Sequence, residues 1–458
     1  MSKSDIVNNL SSFLCYLQTQ VDTVCGSTTR SKDFLLLSSS IGKSSDNVEI
    51  TVSTTSALPN LYQSSIPSGM IVYIEDIDIP VISSNESWYT FDGILVRSDA
   101  PVRTLYTWGD GFFGELGDGT VLDRCSPGTV AGGGTTWCWV SSGYKNHFAI
   151  KTDGTLWSWG SNNAGQLGDG TTVSRSSPGT VAGGGTTWCQ VSGGSSHTAA
   201  IKTDGTLWTW GCNQYGGLGD GTTVNRSSPG TVVNCGTTWC QISSGFLFTS
   251  AIKTDGTLWT WGSNSSFGPL GEGTTTPRCS PGTTAGGGTN WCNVSVSIHS
   301  TAIKTDGTLW TWGRNDSNQL GDGSTNPRSS PGTISGGGTT WCQVSSSFHT
   351  AAIKTDGTLW TWGFNQCGRL GNGLTLDRCS PGTVAGAGTN WCQVFTGRCN
   401  SVAVKNDGTL WTWGRNDNGR LGDGTTVDRS SPGTVAGGGT TWYVSSSGQY
   451  NVSGITVT

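Results

Sequence analysis

Residues 197–211 read HTAAIKTDGTLWTWG. Two runs rich in Thr, Ala, Ile, Leu and Trp flank a Lys-Thr-Asp-Gly turn. Asp-Gly between two such runs is the strongest short-range signal for a β-hairpin. The same stretch returns along the chain. Its Trp-Gly pair stands at Trp108, Trp159, Trp210, Trp261, Trp312, Trp362 and Trp413, at intervals of 51, 51, 51, 51, 50 and 51 residues. One complete unit, 155–205, reads TLWSWGSNNAGQLGDGTTVSRSSPGTVAGGGTTWCQVSGGSSHTAAIKTDG. It holds four strand-like runs, TLWSWG, SPGTV, TTWCQVS and HTAAIK, separated by Gly-rich or Asp-Gly turns.

Four strands in about 50 residues, repeated seven times, is the arithmetic of a seven-bladed β-propeller. A linear solenoid would need distinct caps. The two ends of the array argue for a ring instead. The first unit opens at TLYTWG with no HTAAIK-like run ahead of it, and the last ends in NVSGITVT with no TLWTWG behind it. A strand from Asn451–Thr458 pairing with Leu105–Trp108 would complete a composite blade and leave no open sheet edge. The expected class is therefore all-β: a seven-bladed propeller over 102–458, closed by a C-terminal strand and preceded by a small α+β domain over 1–101.

Composition agrees with many short strands and turns. Gly is 71 of 458 residues, Trp 22, and charged residues only 12%. So much Gly, Thr and Ser makes poor helix. The net charge is −5, with no excess of cations to neutralise phosphates, so nucleic acid is disfavoured as a partner. No run approaches the ~18 apolar residues of a membrane span. Met1–Val21 lacks the apolar core of a secretory signal, so the 15 cysteines are expected reduced. Within 1–101, a helix is expected over 4–24, with Val7, Leu10, Leu14, Leu17, Val21 and Val24 along one seam. Strands are expected at 48–53, 70–74, 80–83 and 94–96.

The recurring Trp-Gly, the Gln166-Leu167-Gly168 run and the HTAAIKTDGTLWTWG hairpin resemble the regulator-of-chromosome-condensation repeat. That resemblance covers about 355 residues and implies a seven-bladed ring with a composite blade. Members of that family include a GTPase exchange factor, a plant ultraviolet photoreceptor, a secreted β-lactamase inhibitor and ubiquitin-ligase modules, so the fold alone does not assign a role. The photoreceptor's Gly-Trp-Arg-His-Thr motif is missing, since Ser195 and Ser196 precede His197. The exchange factor's basic tail has no counterpart, because the first hundred residues hold five Lys and Arg against eleven Asp and Glu. The uniformity of the units resembles repeat proteins encoded by marine bacteriophages. The N-terminal IPSGMIVYIEDIDIPVISSNESWYTFDGILVR resembles segments that precede repeats or fibres in phage virion proteins.

Candidate chemistry is sparse. His147, His197, His299 and His349 are read as one repeat position that also accepts Phe248 and Asn400, which no metal ligand set would do. The Gly-Asp-Gly turns with Arg six residues on read as ion pairs or Arg–carbonyl ties within a blade. The 21 Trp of the repeats read as packing. Cysteines 13 residues apart, such as Cys125 and Cys138, occur no more often than chance allows, so they read as small apolar residues. No nucleophile, base and orienting group recur together, so no enzyme and no cofactor is expected.

What is constant between units builds a blade, and what varies is free for contacts. One variable stretch follows Trp-Gly and carries Phe112, Phe113, Tyr215, Phe267, Arg314, Phe364 and Arg415. The other precedes the fourth strand and carries Tyr144, Lys145, Phe246, Phe248, Phe348 and Arg398. Strand direction places both at the same end of each blade. Phe, Tyr and Arg there suit a binding face.

Two functions are expected from these features. The first is a non-enzymatic virion appendage of the tail-fibre or decoration type. It would be held by other virion proteins through 1–101, as a homo-oligomer such as a trimer, and would present the variable face to a host protein or glycan. The alternative is a cytoplasmic regulatory propeller acting as an exchange factor or protein-interaction adaptor.

Overall fold

The computed structural model describes residues 102–458 apart from 234, 235, 265, 266, 387, 440 and 449, together with five N-terminal strands. Those strands, Ile50–Val52, Ile71–Ile74, Ile79–Ser84, Ser87–Thr90 and Leu95–Arg97, form one sheet in chain order. The first pair is parallel and the rest antiparallel. Four of the five fall where the sequence places strands. Ser87–Thr90 went unread, because its SWYT is too short to show alternation. The expected helix over 4–24 lies outside the described residues.

Residues Arg103–Val457 fold into seven four-stranded antiparallel sheets. Blade 3 shows the plan. Its strands Trp188–Gly193, His197–Lys202, Leu207–Gly211 and Arg226–Thr231 pair in that order. The strand from Trp188 is innermost: Ser192 Oγ accepts from the amide of Ser244 on the next inner strand, and Gln190 Oε1 from that of Ile242. The strand from Arg226 is outermost and only partly buried. Seven such sheets, counted as blades 1 to 7 from the composite one, make the ring.

The composite blade orders Trp442–Ser447, Asn451–Val457, Arg103–Gly109 and Arg124–Thr129. Its middle pair runs in register from Asn451 opposite Gly109 to Val457 opposite Arg103. The pairing expected from the complementary half-units is the observed one.

Apolar clusters lie between blades rather than within them. Ala199, Ile201 and Leu207 of blade 3 pack on Trp239, Ile242, Ala251 and Trp261 of blade 4. Of these buried side chains Ile201, Leu207 and Ile242 each contribute on the order of 1.5–3 kcal/mol, and the alanines less. The junction also has a polar knot. The carbonyl of Gln166 accepts both the indole N–H of Trp210 and the hydroxyl of Thr198, each at 2.9 Å. Gly168 closes it: with φ +72° and Trp210 Nε1 2.5 Å from where a Cβ would stand, no other residue fits. That is why Leu-Gly never varies while the residue before it does.

The repeated Gly-Asp-Gly and Arg make the ion pairs read from sequence: Arg124–Asp118, Arg175–Asp169, Arg226–Asp220, Arg278–Glu272, Arg328–Asp322 and Arg429–Asp423. In blade 6 Asn372 replaces the acid, and Arg378 instead donates to the carbonyl of Thr383.

Candidate functional site

The two ends of each blade differ. At one end lie the Lys-Thr-Asp-Gly turns, all built alike. Asp204 Oδ1 caps the amide and hydroxyl of Thr206, and Lys202 lies over both Trp188 and Trp208, 4.7 and 4.5 Å from the ring centres. At the other end His197 pairs with Gly211, so the two variable stretches do meet.

On that face the structure joins six of the sequence candidates into an arc over blades 6, 7, 1 and 2. Arg398 lies 5.2 Å from the centre of the Phe348 ring and donates to Tyr450 Oη at 3.3 Å. Tyr450 meets Tyr144 edge-on at 6.0 Å. Lys145 stands 5.6 Å from the Tyr144 ring and 4.0 Å from that of Phe113, which packs edge-on against Phe112. Phe112 is 70% exposed. Burial, and then Tyr450, push the Tyr144 phenol above its ordinary range.

The remaining candidates are scattered. Phe267 lies under Arg314, whose guanidinium forks onto Asp316 at 2.5 and 2.7 Å. Phe364 lies under Arg369 at 4.4 Å, and Arg415 pairs with Asp417. Tyr215 and Phe246 are exposed on blades 3 and 4.

Two readings are corrected. Phe248 is not on the binding face: it is 2% exposed and packs with Trp291, Val294 and Trp312. As the first residue of its strand it points into the junction. His147 is not equivalent to the other histidines. It pairs with Trp159, whereas His197 pairs with a glycine, so it stands one residue further along. The repeat there has Asn146 in the place that His197, His299 and His349 take in theirs, and a one-residue slip turns the side chain to the other side. His147 stacks on Trp159 at 5.7 Å. His197, His299 and His349 instead meet the hydroxyls of Thr249, Thr350 and Ser401 in the next blade, at 2.9, 2.8 and 2.6 Å. Those hydroxyls donate to the knot carbonyls of Gly217, Gln319 and Arg369, so each histidine donates through Nε2. Burial lowers His147 and His197 to about 4 and His299 to about 3, and it lowers His349 well below the ordinary range.

Sequence reading passed over one position, the residue before Leu-Gly. Its carbonyl ties the junction, while its side chain differs: that of Gln166 bonds its own blade's loop at Ala164 and Asn163, and that of Arg369 reaches the next blade's loop at Arg398. Around the ring it is Glu115, Gln166, Gly217, Pro269, Gln319, Arg369 and Arg420. Glu115 is fully buried, and burial pushes its carboxyl up to about 7, with Asp110 adding to the rise. Its Oε2 accepts from the amide of Phe113 at 2.6 Å, and its Oε1 has no partner. Arg369 donates to the carbonyl of Arg398 at 2.5 Å, and its buried Nε has no partner. Arg420 pairs with Asp417 and lies over Tyr450. The changing letter inside an otherwise constant motif was the available signal.

Among the described residues no three His, Cys, Asp or Glu side chains gather as a metal site, and no helix is long and apolar enough to cross a membrane.

A ring of seven sheets with constant junctions and one face of changing aromatic and basic loops is a propeller of the RCC1 type. The pattern of the RCC1-like domain matches residues 104–453, and the chain belongs to that family. It is 32% identical over 220 residues to the ultraviolet-B receptor UVR8 of Arabidopsis thaliana, which covers 47% of this chain and 50% of that protein. It is 29% identical over 197 residues to the E3 ubiquitin-protein ligase HERC2 of Homo sapiens, covering 39% of this chain and 4% of the ligase. The chain thus spans half or less of these relatives. Among solved structures, Prp20p from Saccharomyces cerevisiae, described with its binding properties to Gsp1p and histones, superposes with a TM-score of 0.68. The two share 18% identity over 78% of this chain and 92% of that one.

Proposed function

We propose that this protein is a non-enzymatic interaction module, an adaptor that captures a protein partner on the face bearing the variable loops. The carrying observation is the division of labour at the junction position. Its carbonyl ties every junction alike, while its side chain and the loops around it change from blade to blade. These relatives are a receptor, a ligase and a Gsp1p-binding propeller. They favour the adaptor over a virion appendage, for which the comparisons offer no support.

Capture from cell extract, with the retained proteins identified by mass spectrometry, tests the reading. A variant carrying Phe112→Ala, Tyr215→Ala and Phe246→Ala together is expected to lose the retained partner with its fold intact. A variant with Asp204→Asn, Asp255→Asn and Asp356→Asn in the opposite turns is expected to keep it. The reverse pattern would move the binding surface to the other face. Equal retention by both variants would remove these loops from recognition altogether.

A further inference from the structure

Charge is not spread evenly around the variable face. At the junction position, four consecutive blades, 2 to 5, carry Gln166, Gly217, Pro269 and Gln319, all without charge. Blades 6, 7 and 1 carry Arg369, Arg420 and Glu115, and all three are buried. Burying a charge costs free energy unless something answers it, and Gln shows that a neutral residue fits. Arg420 is answered by Asp417, and Glu115 relieves the cost by taking a proton near neutral pH. Arg369 has no ion pair among the described residues, and its Nε is buried with no hydrogen-bond partner. Its guanidinium lies on Phe364 and bonds the backbone of the loop that lifts Arg398 onto the surface.

Resting on the adaptor reading above, we propose that the sector of blades 6 and 7 docks an acidic segment of the partner protein. A carboxylate would be held by Arg398, with Arg369 beneath it. Four arginines, Arg369, Arg398, Arg415 and Arg420, gather in this sector. Among the described residues Asp417 pairs with Arg415 and Arg420, while Asp377 and Asp428, at the far ends of loops 364–377 and 415–428, cap the amides of Asn365 and Asn416. A guanidinium fork matches a carboxylate in two parallel bonds. Phe348, Phe364 and Tyr450 around the arginines offer aromatic surface that peptide side chains and stacked nucleobases can both use. The chain's net charge of −5 favours a peptide over a polyphosphate backbone, and oligothymidylate tests that choice.

The full chain is titrated by fluorescence anisotropy with three probes: a short labelled peptide rich in Glu and Phe, its Gln-for-Glu analogue, and oligothymidylate of matched charge. The acidic peptide is expected to bind saturably, more weakly as salt rises. Arg369→Gln and Arg398→Ser should each weaken it about tenfold. Gln319 and Ser195 already occupy those positions in other blades, so both variants should fold. Lys253→Gln on the opposite face should change nothing.

Absent binding, equal binding of the Gln analogue, or indifference to both arginine variants would each overturn the proposal. Tighter binding of oligothymidylate would overturn it in favour of a phosphate ligand. If the loop variant in the capture experiment loses its partner while the acidic peptide fails to bind, the face remains a docking surface. The acidic chemistry alone is then wrong.

Discussion

The two ends of a blade are made by the same strands and obey different rules. At the Lys-Thr-Asp-Gly end every side-chain demand is met locally, and the tie to the next blade runs from backbone to backbone, as from the amide of Trp188 to the carbonyl of Gly154. The aspartate caps its own turn, and the lysine covers its own two indoles. Nothing there depends on the neighbouring blade's choice of residue, so the turn is copied almost unchanged. At the opposite end the backbone of one blade is tied to the side chains of the next. The tie uses a carbonyl, and a carbonyl is indifferent to its own side chain. Variation is tolerated where the structural role falls on the main chain, and that is where aromatic and charged residues accumulate.

The largest effect should come from breaking the one junction that brings distant parts of the chain together. Deleting Asn451–Thr458 removes Val452 and Ile455, both fully buried. Those two side chains alone represent roughly 3–6 kcal/mol, and the third strand of the composite blade would become a bare edge. The expected outcome is loss of a single cooperative melting transition, or a melting temperature far below that of the intact chain. A melting temperature unchanged by the deletion would break the closed-ring account.

Smaller effects belong to the titratable groups buried at the variable end, and they have opposite signs. Free histidine titrates near 6.5, while His197 in the ring titrates at about 4 and His299 at about 3. As pH falls below about 6.5, the unfolded chain takes up protons that the folded one refuses, so stability drops until the folded histidines titrate. Replacing His197, His299 and His349 together by Asn, the residue at 400 and 451, should make the fall in urea midpoint between about pH 6.5 and 4 shallower, with His147 keeping its share. Glu115 runs the other way. Its carboxyl is raised to about 7, so its neutral form stabilises the fold below the ordinary carboxylate range. That contribution is lost as pH rises through about 7. Glu115→Gln should therefore raise the melting temperature at about pH 8 and leave it nearly unchanged at about pH 5. A variant equally stabilised at both would show that ionisation is not the cause.

The smallest expected effect sharpens the comparison within the rim. Asn372→Asp would give Arg378 the carboxylate that the other six blades possess. Such a part-exposed pair should add no more than ~1 kcal/mol, read as a slight rise in urea midpoint that shrinks in high salt.

Most of the ring was legible because a strand pattern repeated seven times leaves few alternatives. The closing strand was legible because two incomplete units complement each other. What escaped notice had physical reasons. The slip at His147 is invisible to an alignment by letter, since only strand pairing reveals that Asn146 has taken the usual place. Phe248 looked like a loop aromatic because it begins its strand, and inward pointing is set by register. Glu115, Arg369 and Arg420 sit within a motif whose constancy draws the eye to its glycines. Their burial depends on the next blade's loop, some 30 residues further along, as Arg369 and Arg398 show.

The junction knot also bears on how such a chain can change by inheritance. Each unit offers its successor the same carbonyl, the same glycine and the same indole, so any unit can follow any other. Recombination among near-identical repeats in the gene can then reorder or replace whole blades without disturbing an interface. Each exchange would move a different residue into the position before Leu-Gly and redraw the pattern of charge on one face. A new binding specificity could arise in a single genetic event, with no intermediate that fails to fold.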